Sequence, residues 1–298
     1  MSSRLTPLPA PRLASPVLTA AQRERFAREG YLVLEDFVPG AACDALRARA
    51  LELVSGFDPE THRSIFTTDD QTRTTDDYFL DSGDKIHFFF EEGAFDARGQ
   101  LRQPKERSIN KIGHALHDRE PVFDRFSRTP ELERLVFDVG LEDPRLVQSM
   151  VIFKQPRIGG EVRCHQDSTF LHTQPESMLG LWFALEDAHL GNGCLWALPG
   201  GHLGGLRSRF VRGPDRTTRF EALPASEGPP WRDEDLVPLE VKKGAVILLD
   251  GRLPHMSHAN VSEQSRHAYT LHVVGGGADY PNTNWLRRAP DFPARGFR

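Results

Sequence analysis

The sequence predicts a single domain of mainly β structure, a barrel or sandwich, with a layer of α-helices in its N-terminal part. From about residue 146 onward, short runs rich in Val, Ile, Leu, Phe and Trp alternate with turn clusters such as LGNG and PGG. This pattern is typical of many short strands. Before that point, longer stretches show helical spacing of apolar residues, which indicates helices packed outside a β-barrel.

The first elements are predicted as a helix, a strand and a second helix. Thr19 can cap a helix that runs to about Glu29, with Gly30 as its C-terminal stop. The stretch YLVLEDF has the composition of a strand, and an amphipathic helix begins near Pro39. Further along, KIHFFFEEGAF is predicted as a short aromatic strand and PVFDRFSRTPELERLVFDVG as helical.

The remaining strands are predicted in LVQSMVIFKQP, MLGLWFALED, GCLWALPGGH, GLRSRFVRG, LVPLEVKKGAVILLDG and RHAYTLHVVGG. Residues 58–84 are polar and rich in Thr and Asp, so they are predicted as a long loop, either a lid over a pocket or a disordered segment. Residues 1–17 are predicted as a flexible leader, and residues 18–298 as the single domain.

Composition excludes several classes of partner. A net charge of -5 gives no basic surface for nucleic acid or an anionic membrane. No apolar run approaches the roughly 18–20 residues of a membrane span. Three cysteines without paired spacing indicate a reducing compartment, and the cytoplasm is expected. The oligomeric state is open, and a monomer is compatible with the sequence.

A histidine and an aspartate two residues apart, His165 and Asp167, are the first candidate metal ligands. On an extended segment their side chains point the same way, because strand side chains alternate with period two. Imidazole and carboxylate together suit Fe(II), and two histidines with one carboxylate leave three metal positions open. Taken alone, however, such a pair is more often ordinary loop polarity than a metal site.

A second segment supplies the missing parts of this site. His255 follows a predicted buried strand and turn, and Arg266 lies eleven residues later at the start of the next strand. Three open positions accept a bidentate 2-oxo acid plus dioxygen, and an arginine can clamp the far carboxylate of that acid with two hydrogen bonds. Two separate segments therefore fit one chemistry.

Longer strings between Thr19 and Trp285 carry a family resemblance: GDKIHFFFE, SINKIGHALH, SMVIFKQP, GGEV..HQD, EDA.L.NGCLW and SR.AYT.H. The sequence resembles the phytanoyl-CoA dioxygenase family of Fe(II)- and 2-oxoglutarate-dependent oxygenases. The resemblance implies a double-stranded β-helix, a cupin-like jelly roll. It also implies iron on His165, Asp167 and His255, with Arg266 and Ser257 holding the 5-carboxylate of 2-oxoglutarate.

The same resemblance places Lys111, Met150 and Trp182 around the co-substrate. A lysine there is a positive partner for a desolvated dianion. Without the resemblance, Met150 and Trp182 are better explained as ordinary core residues. His258 is a rival for His255 as third ligand, although the H-x-S-x-x-N string favours His255. His114 and His117 are either groups that orient ligands or substrate, or polar residues that are simply satisfied.

The expected activity is oxidative decarboxylation of 2-oxoglutarate to succinate and carbon dioxide, coupled to hydroxylation of an unidentified small molecule, with Fe(II) and dioxygen. Asp167 fills the position where related halogenases carry a small residue, which favours hydroxylation. The alternatives are a cupin-fold metal-binding module or a metal hydrolase without 2-oxoglutarate turnover. An acyl-CoA substrate requires a basic patch, for which Arg207, Arg209 and Arg212 are candidates; a solvated strand edge explains them equally well.

Overall fold

The computed structural model describes residues 16–66 and 76–298 of the chain. These ranges contain six α-helices: α1 (Ala20–Glu29), α2 (Gly40–Gly56), α3 (Asp77–Leu80), α4 (Leu116–Arg119), α5 (Pro121–Ser127) and α6 (Pro130–Asp138). They also contain thirteen strands: β1 (Tyr31–Leu34), β2 (Ile86–Phe90), β3 (Ile109–His114), β4 (Pro144–Ile152), β5 (Val162–His165), β6 (Leu179–Ala184), β7 (Leu195–Ala197), β8 (Ser208–Arg212), β9 (Thr218–Ala222), β10 (Val237–Leu239), β11 (Val246–Asp250), β12 (His255–Ser257) and β13 (Ala268–Gly275). The α-helices of these ranges all precede β4, as the sequence predicted.

The N-terminal elements form where the sequence predicted them. The Thr19 side chain caps α1 in a capping box with Gln22, so two free backbone N–H groups of the first turn are satisfied. Gly30 ends the helix with φ 78°, a left-handed conformation that glycine adopts without steric cost. β1 follows at once, and α2 begins after Pro39 at its N-cap. These predictions are confirmed.

Two antiparallel sheets make up the core of the molecule. The large sheet has seven strands in the order β1-β11-β6-β13-β4-β3-β2, and the small sheet has four in the order β10-β7-β12-β5. β8 and β9 form a separate hairpin. Strands that follow one another in the chain, such as β10, β11 and β12, alternate between the two sheets, which is the arrangement of a jelly roll. The predicted fold class is confirmed.

The two faces of the large sheet serve different purposes. On β13, Tyr269, Leu271 and Val273 belong to the main apolar core, whereas Thr270 and His272 between them line a cavity. This is the alternation of side chains that a strand imposes. One face of the sheet therefore packs against the helices, and the other faces the small sheet across the cavity.

The helices cover the outer face of the large sheet with regularly spaced apolar side chains. The buried residues of α2 are Cys43, Leu46, Ala50 and Val54, and those of α6 are Leu132, Leu135 and Val136. Steps of three and four residues keep these side chains on one stripe of each helix. Full burial of a leucine contributes about 1.5–3 kcal/mol, so the two stripes are a large part of what fixes the helical layer.

The segment predicted as a long loop, residues 58–84, is partly helical. The Asp76 carboxylate accepts a hydrogen bond from the backbone N–H of Phe79 and caps the short helix α3. Phe79 is buried in that helix, so the prediction of a loop is wrong there. Residues 67–75 and 1–15 lie outside the described residues. The lid and the flexible leader therefore stay predictions.

Two further segments differ from the predicted elements. The stretch PVFDRFSRTPELERLVFDVG forms two helices, α5 and α6, rather than one. The break precedes Pro130, which has no N–H to continue a helix and is favoured at the first helical position. The stretch SINKIGHALHD, which the sequence left unassigned, contains β3, a fully buried strand of the large sheet.

Cys43, Cys164 and Cys194 are all free thiols. Within residues 16–66 and 76–298, every helix is too short or too polar to cross a bilayer.

A buried ionic cluster ties α4 to the C-terminal segment. The Asp118 side chain is fully buried and accepts from Arg128 at 2.6 Å, Arg288 at 2.5 Å and Arg295 at 2.7 Å. His117 lies 3.2 Å from the same carboxylate. Burial raises the pKa of Asp118, but His117 and Arg288 outweigh it and hold that pKa below its usual range. Asp118 is therefore ionised and is the hub on which three arginines converge.

We expect Asp118→Ala to lower the free energy of unfolding by about 3–5 kcal/mol, because it leaves buried guanidinium groups without their shared anion. Urea denaturation of both proteins measures the loss. Glu131→Gln is the control, since it removes an exposed ion pair with Arg134 and such pairs contribute about 0–1 kcal/mol. Equal losses in the two variants contradict the assignment of Asp118 as a hub.

Candidate metal centre

His165 and His255 are cross-strand neighbours in the small sheet. β5 and β12 pair in antiparallel fashion with His165 directly opposite His255. Directly opposite residues place their side chains on the same face of a sheet, and the two ring centroids are 4.4 Å apart. Sheet pairing thus joins two histidines that are far apart in the sequence.

Both imidazoles are held in the orientation that a metal ligand needs. His165 Nδ1 lies 2.8 Å from the carbonyl oxygen of Arg163, and His255 Nδ1 lies 2.9 Å from that of Leu253. A carbonyl oxygen only accepts, so Nδ1 carries the hydrogen in each ring. The Nε2 lone pairs are therefore free, which is the tautomer seen in histidines that bind metals through Nε2.

Asp167 completes a group of three. Its Oδ1 atom is 3.3 Å from His165 Nε2 and 3.6 Å from His255 Nε2. One ligand atom from each residue lies within 4.8 Å of the others. Ligands bound to one ion at roughly 2.0–2.2 Å and at right angles lie about 3 Å apart. The donor set and its spacing therefore fit a divalent first-row metal.

The backbone between the first two ligands follows the predicted alternation. β5 ends at His165, Gln166 is still extended with φ -115° and ψ 132°, and Asp167 opens one turn of 3₁₀ helix. The Gln166 side chain is anchored elsewhere, since it donates to the carbonyl oxygens of Gly205 at 2.8 Å and Arg252 at 2.6 Å. This anchor holds the extended segment that presents His165 and Asp167 together.

Charge at the centre suits a cation. Burial raises the pKa of Asp167, but His255, His272 and His165 outweigh it and hold that pKa well below its usual range. Burial lowers the pKa of His255 to about 4, so this imidazole is neutral near pH 7 and offers a lone pair. For His165, burial lowers the pKa but the Asp167 carboxylate outweighs it, and the pKa is raised. The metal-free site thus holds an ionised carboxylate beside basic nitrogens.

A buried arginine lies in the same cavity. Arg266 is 1% exposed, donates from Nε to the carbonyl oxygen of Gly193 at 3.1 Å, and has its guanidinium carbon 5.2 Å from the Trp182 ring centroid. Its Nη1 atom is buried and has no hydrogen-bond partner among the described residues. A buried donor without a partner is costly. This corner of the cavity is therefore suited to an anion.

Lys154 is a second cation at this corner, and the sequence assigned it no role. It is 1% exposed, and its Nζ donates to the carbonyl oxygen of Gly160 at 2.6 Å and to Ser257 Oγ at 2.9 Å. Burial, together with the charge of Arg266, lowers the pKa of Lys154 to about 7. The only signal for it was its place in the string SMVIFKQP, since its contacts depend on sheet pairing.

The remaining predicted residues line the walls. Thr270 on β13 pairs with Met150 on one side and Trp182 on the other, so the three form one row across the large sheet. Lys111 Nζ lies 3.4 Å from the Phe66 ring centroid, and burial lowers the pKa of Lys111 to about 7. The structure thus brings all eight predicted site residues to one cavity of about 350 Å³: Lys111, Met150, His165, Asp167, Trp182, His255, Ser257 and Arg266.

The profile of the phytanoyl-CoA dioxygenase (PhyH) family matches residues 26–268 of this sequence. The chain belongs to that family. A phytanoyl-CoA dioxygenase from Arabidopsis thaliana is 47% identical over 273 residues, covering 91% of this chain and 94% of the relative. Phytanoyl-CoA dioxygenase domain-containing protein 1 from Mus musculus is 44% identical over 283 residues, covering 93% of this chain and 97% of the relative.

Solved structures share the fold at lower identity. The non-heme alpha-ketoglutarate-dependent carbocyclase SnoK, from nogalamycin biosynthesis, superposes with a TM-score of 0.63 at 18% identity, covering 95% of this chain and all of SnoK. EctD from S. alaskensis, solved with 2-oxoglutarate and 5-hydroxyectoine, superposes with a TM-score of 0.60 at 21% identity. The match covers 94% of this chain and 84% of EctD. Membership of the PhyH family confirms the predicted enzyme class, an iron- and 2-oxoglutarate-dependent dioxygenase.

The other histidines considered from the sequence lie in different surroundings. His258 packs against Trp196 with ring centroids 5.2 Å apart, and it is His255 that faces Asp167. His117 is bonded to Ser149 Oγ at 2.7 Å, so it is a satisfied polar residue. His114 lines the cavity, with Nδ1 2.7 Å from Ser82 Oγ.

The three arginines considered for a coenzyme A patch do not form one surface. Arg212 is 6% exposed and donates to the carbonyl oxygen of Leu80 at 3.0 Å, inside the protein. Arg207 stacks over the Trp231 ring at 4.2 Å. The basic patch is therefore wrong for Arg212, because its guanidinium group satisfies backbone carbonyls rather than facing solvent.

A further residue at the metal centre was missed altogether. His272 Nε2 lies 3.4 Å from Asp167 Oδ2, the carboxylate oxygen that does not face the two histidines. No short-range spacing in the sequence links residues 167 and 272. They meet only because the large sheet faces the small one.

Proposed function

We propose that this family member binds Fe(II) through His165, Asp167 and His255 and hydroxylates a small molecule that offers an apolar group, with 2-oxoglutarate as co-substrate. The observation that carries the proposal is the convergence of two free Nε2 atoms and one carboxylate oxygen beside a buried arginine. Two histidines and one carboxylate leave three metal positions for ligands from solution.

The arginine corner supports a dicarboxylate co-substrate. The Lys154 ammonium donates to Ser257 Oγ, which accepts. The Ser257 hydroxyl hydrogen is therefore free to point at another acceptor. Together with the free Nη1 of Arg266, it offers two donors to one carboxylate. Hydrogen bonds of a carboxylate to such charged groups are strong in a desolvated site.

Iron, 2-oxoglutarate and dioxygen together supply the oxidising chemistry, in which the oxo acid is decarboxylated to succinate and carbon dioxide and one oxygen atom enters a substrate C–H bond. The chain's own residues orient and protect this reaction. Arg266 and Ser257 fix the far carboxylate, while Trp182 and Met150 form dry walls. Exclusion of water strengthens each electrostatic contact inside the cavity and limits side reactions.

The other end of the cavity supports an apolar substrate group. The Phe170 ring centroid lies 6.0 Å from that of His165, and Phe210 and Phe220 stand behind it at 5.7 and 6.0 Å. Phe79 and Trp285, stacked at 4.2 Å, form another wall. Aromatic walls favour a hydrocarbon or ring over a charged group. Phe220 is 37% exposed, and we therefore place the entrance for the substrate beside it.

A binding module or a metal hydrolase uses the same three metal ligands but leaves Arg266 without a function. Its Nη1 is buried and unbonded within the described part of the chain, which is unfavourable unless an anion binds there. A 2-oxo dicarboxylate satisfies the arginine and the open metal positions at once.

Anaerobic titration of the purified protein with Fe(II) and then 2-oxoglutarate tests this function. We expect a weak visible charge-transfer band that needs both additions. Arg266→Ala should remove the band at 2-oxoglutarate concentrations that saturate the wild type, because one carboxylate loses its clamp. Wild-type protein that binds iron but gives no band contradicts the proposal and favours a binding module or hydrolase.

Asp167→Ala should abolish iron-dependent succinate release, because the proposed metal site loses the carboxylate of Asp167. The fold should persist, which far-UV circular dichroism of the metal-free protein checks. Asp291→Ala, at an exposed position, is the control and should keep full turnover. Undiminished succinate release by Asp167→Ala excludes this residue as a ligand.

Lys154→Met should weaken 2-oxoglutarate binding by about 10-fold or more, since a hydrogen bond to a charged group contributes roughly 1.5–3 kcal/mol. Methionine fills the same space without a donor. Fe(II) affinity measured in the absence of 2-oxoglutarate should stay at the wild-type value, which serves as the internal control. Unchanged affinity for both ligands shows that Lys154 has no part in orienting Ser257.

A further inference from the structure

The two oxygens of Asp167 face different partners. Oδ1 faces the imidazoles of His165 and His255 at 3.3 and 3.6 Å. Oδ2 faces His272 Nε2 at 3.4 Å, an ion-pair contact slightly longer than an ordinary hydrogen bond. The carboxylate is thus oriented with one oxygen toward the proposed metal position and the other toward the large sheet.

The fold leaves room for this contact at one position. His272 on β13 pairs with Gly180 on β6. A Cβ atom at Gly180 would lie 3.1 Å from Asp167 Oδ2 and 3.7 Å from His272 Cδ2. Because position 180 is glycine, the Asp167 carboxylate, which follows β5 of the small sheet, can approach the His272 imidazole on β13 of the large sheet.

Hydrogen positions follow from the partners. Nδ1 of His165 and of His255 faces a backbone carbonyl oxygen, which assigns their hydrogens to Nδ1. In His272 it is Nε2 that faces an acceptor, the Asp167 carboxylate, so the hydrogen is assigned to Nε2. His272 Nδ1 is then the lone-pair nitrogen; it is buried and, within residues 16–66 and 76–298, lacks a hydrogen-bond partner. This is the opposite tautomer to that of His165 and His255, which keep Nε2 free. His272 thus presents a donor N–H toward Asp167 rather than a lone pair toward the proposed metal position.

We propose that His272 is a positioning residue that holds Asp167 in one-oxygen coordination by engaging Oδ2. The inference rests on the proposed function, because it takes Asp167 as an iron ligand. A carboxylate that swung both oxygens onto the metal would occupy one of the three positions needed by 2-oxoglutarate and dioxygen. Partners that orient a metal ligand commonly contribute 10–100-fold to metal affinity.

Three substitutions separate the hydrogen bond from packing. His272→Leu removes the donor, and His272→Asn keeps a polar side chain that is too short to reach Oδ2. His272→Gln places an amide N–H near the position of Nε2. His202→Leu is the matched control, since His202 is a buried histidine, 3% exposed, bonded to the Ala27 carbonyl oxygen at 3.1 Å and outside the cavity wall.

Fe(II) dissociation constants and the charge-transfer band with 2-oxoglutarate are measured anaerobically for each protein. We expect His272→Leu and His272→Asn to weaken Fe(II) binding by about 10–100-fold and to shift or lose the band. His272→Gln should stay within about 3-fold of the wild type and keep the band, and His202→Leu should change neither quantity. Thermal unfolding of the metal-free proteins reports any general loss of stability.

Wild-type affinity and an unshifted band in His272→Leu overturn the inference while leaving the proposed function intact. Equal losses in the Leu and Gln variants overturn it too, because the donor then makes no difference. A matching loss of Fe(II) affinity in His202→Leu also overturns the inference, because His202 lies outside the cavity wall. A wild-type protein that binds no Fe(II) instead contradicts the proposed function itself, so the two failures are distinguishable.

Discussion

The burial of one carboxylate, Asp167, constrains both sheets of the molecule. An ionised group away from water costs several kcal/mol unless partners surround it. Here the partners are imidazoles from β5, β12 and β13, so they come from both the small and the large sheet. A slip of one residue in β13 would turn His272 toward the helices and an apolar side chain toward the carboxylate. Strand register is thus tied to the charge balance at the centre of the cavity.

The same alternation joins stability to function within single strands. Tyr269 and Leu271 pack into the main core, while Thr270 and His272 face the cavity. The core residues set where the strand lies, and the strand then sets where the cavity residues lie. This explains how a metal centre can be held accurately by short strands: β5 and β12 are only four and three residues long, but they face a seven-stranded sheet backed by helices.

Much of this could be predicted from the sequence, because its signals are local. Capping at Thr19, the stop at Gly30 and the short apolar runs each depend on a few neighbouring residues, and the HQD string shows two candidate ligands in one extended segment. His255 and Arg266 could be found because a strand and a turn precede them. Lys154 and His272 could not, because their partners, Ser257 and Asp167, lie 103 and 105 residues away and meet them only through the packing of the sheets. α3 was missed because its polar, Asp-rich surroundings are typical of loops. The burial of Phe79 that stabilises this helix depends on tertiary contacts.

The two ends of the cavity impose different physical demands on what binds there. Arg266 and Lys154 are buried cations at one corner of the cavity, and burial, followed by the charge of Arg266, lowers the pKa of Lys154. An anion at this corner offsets the repulsion and gives a partner to Arg266 Nη1, which has none among the described residues, so charge selects the ligand of that end. The aromatic rings at the other end need no charged partner. The choice of ligand at that end therefore rests on shape and apolar contact. A change at Phe170 or Phe220 therefore alters what fits at the aromatic end without disturbing the contacts of Arg266. The arginine end is constrained by electrostatics, and the aromatic end is free to vary.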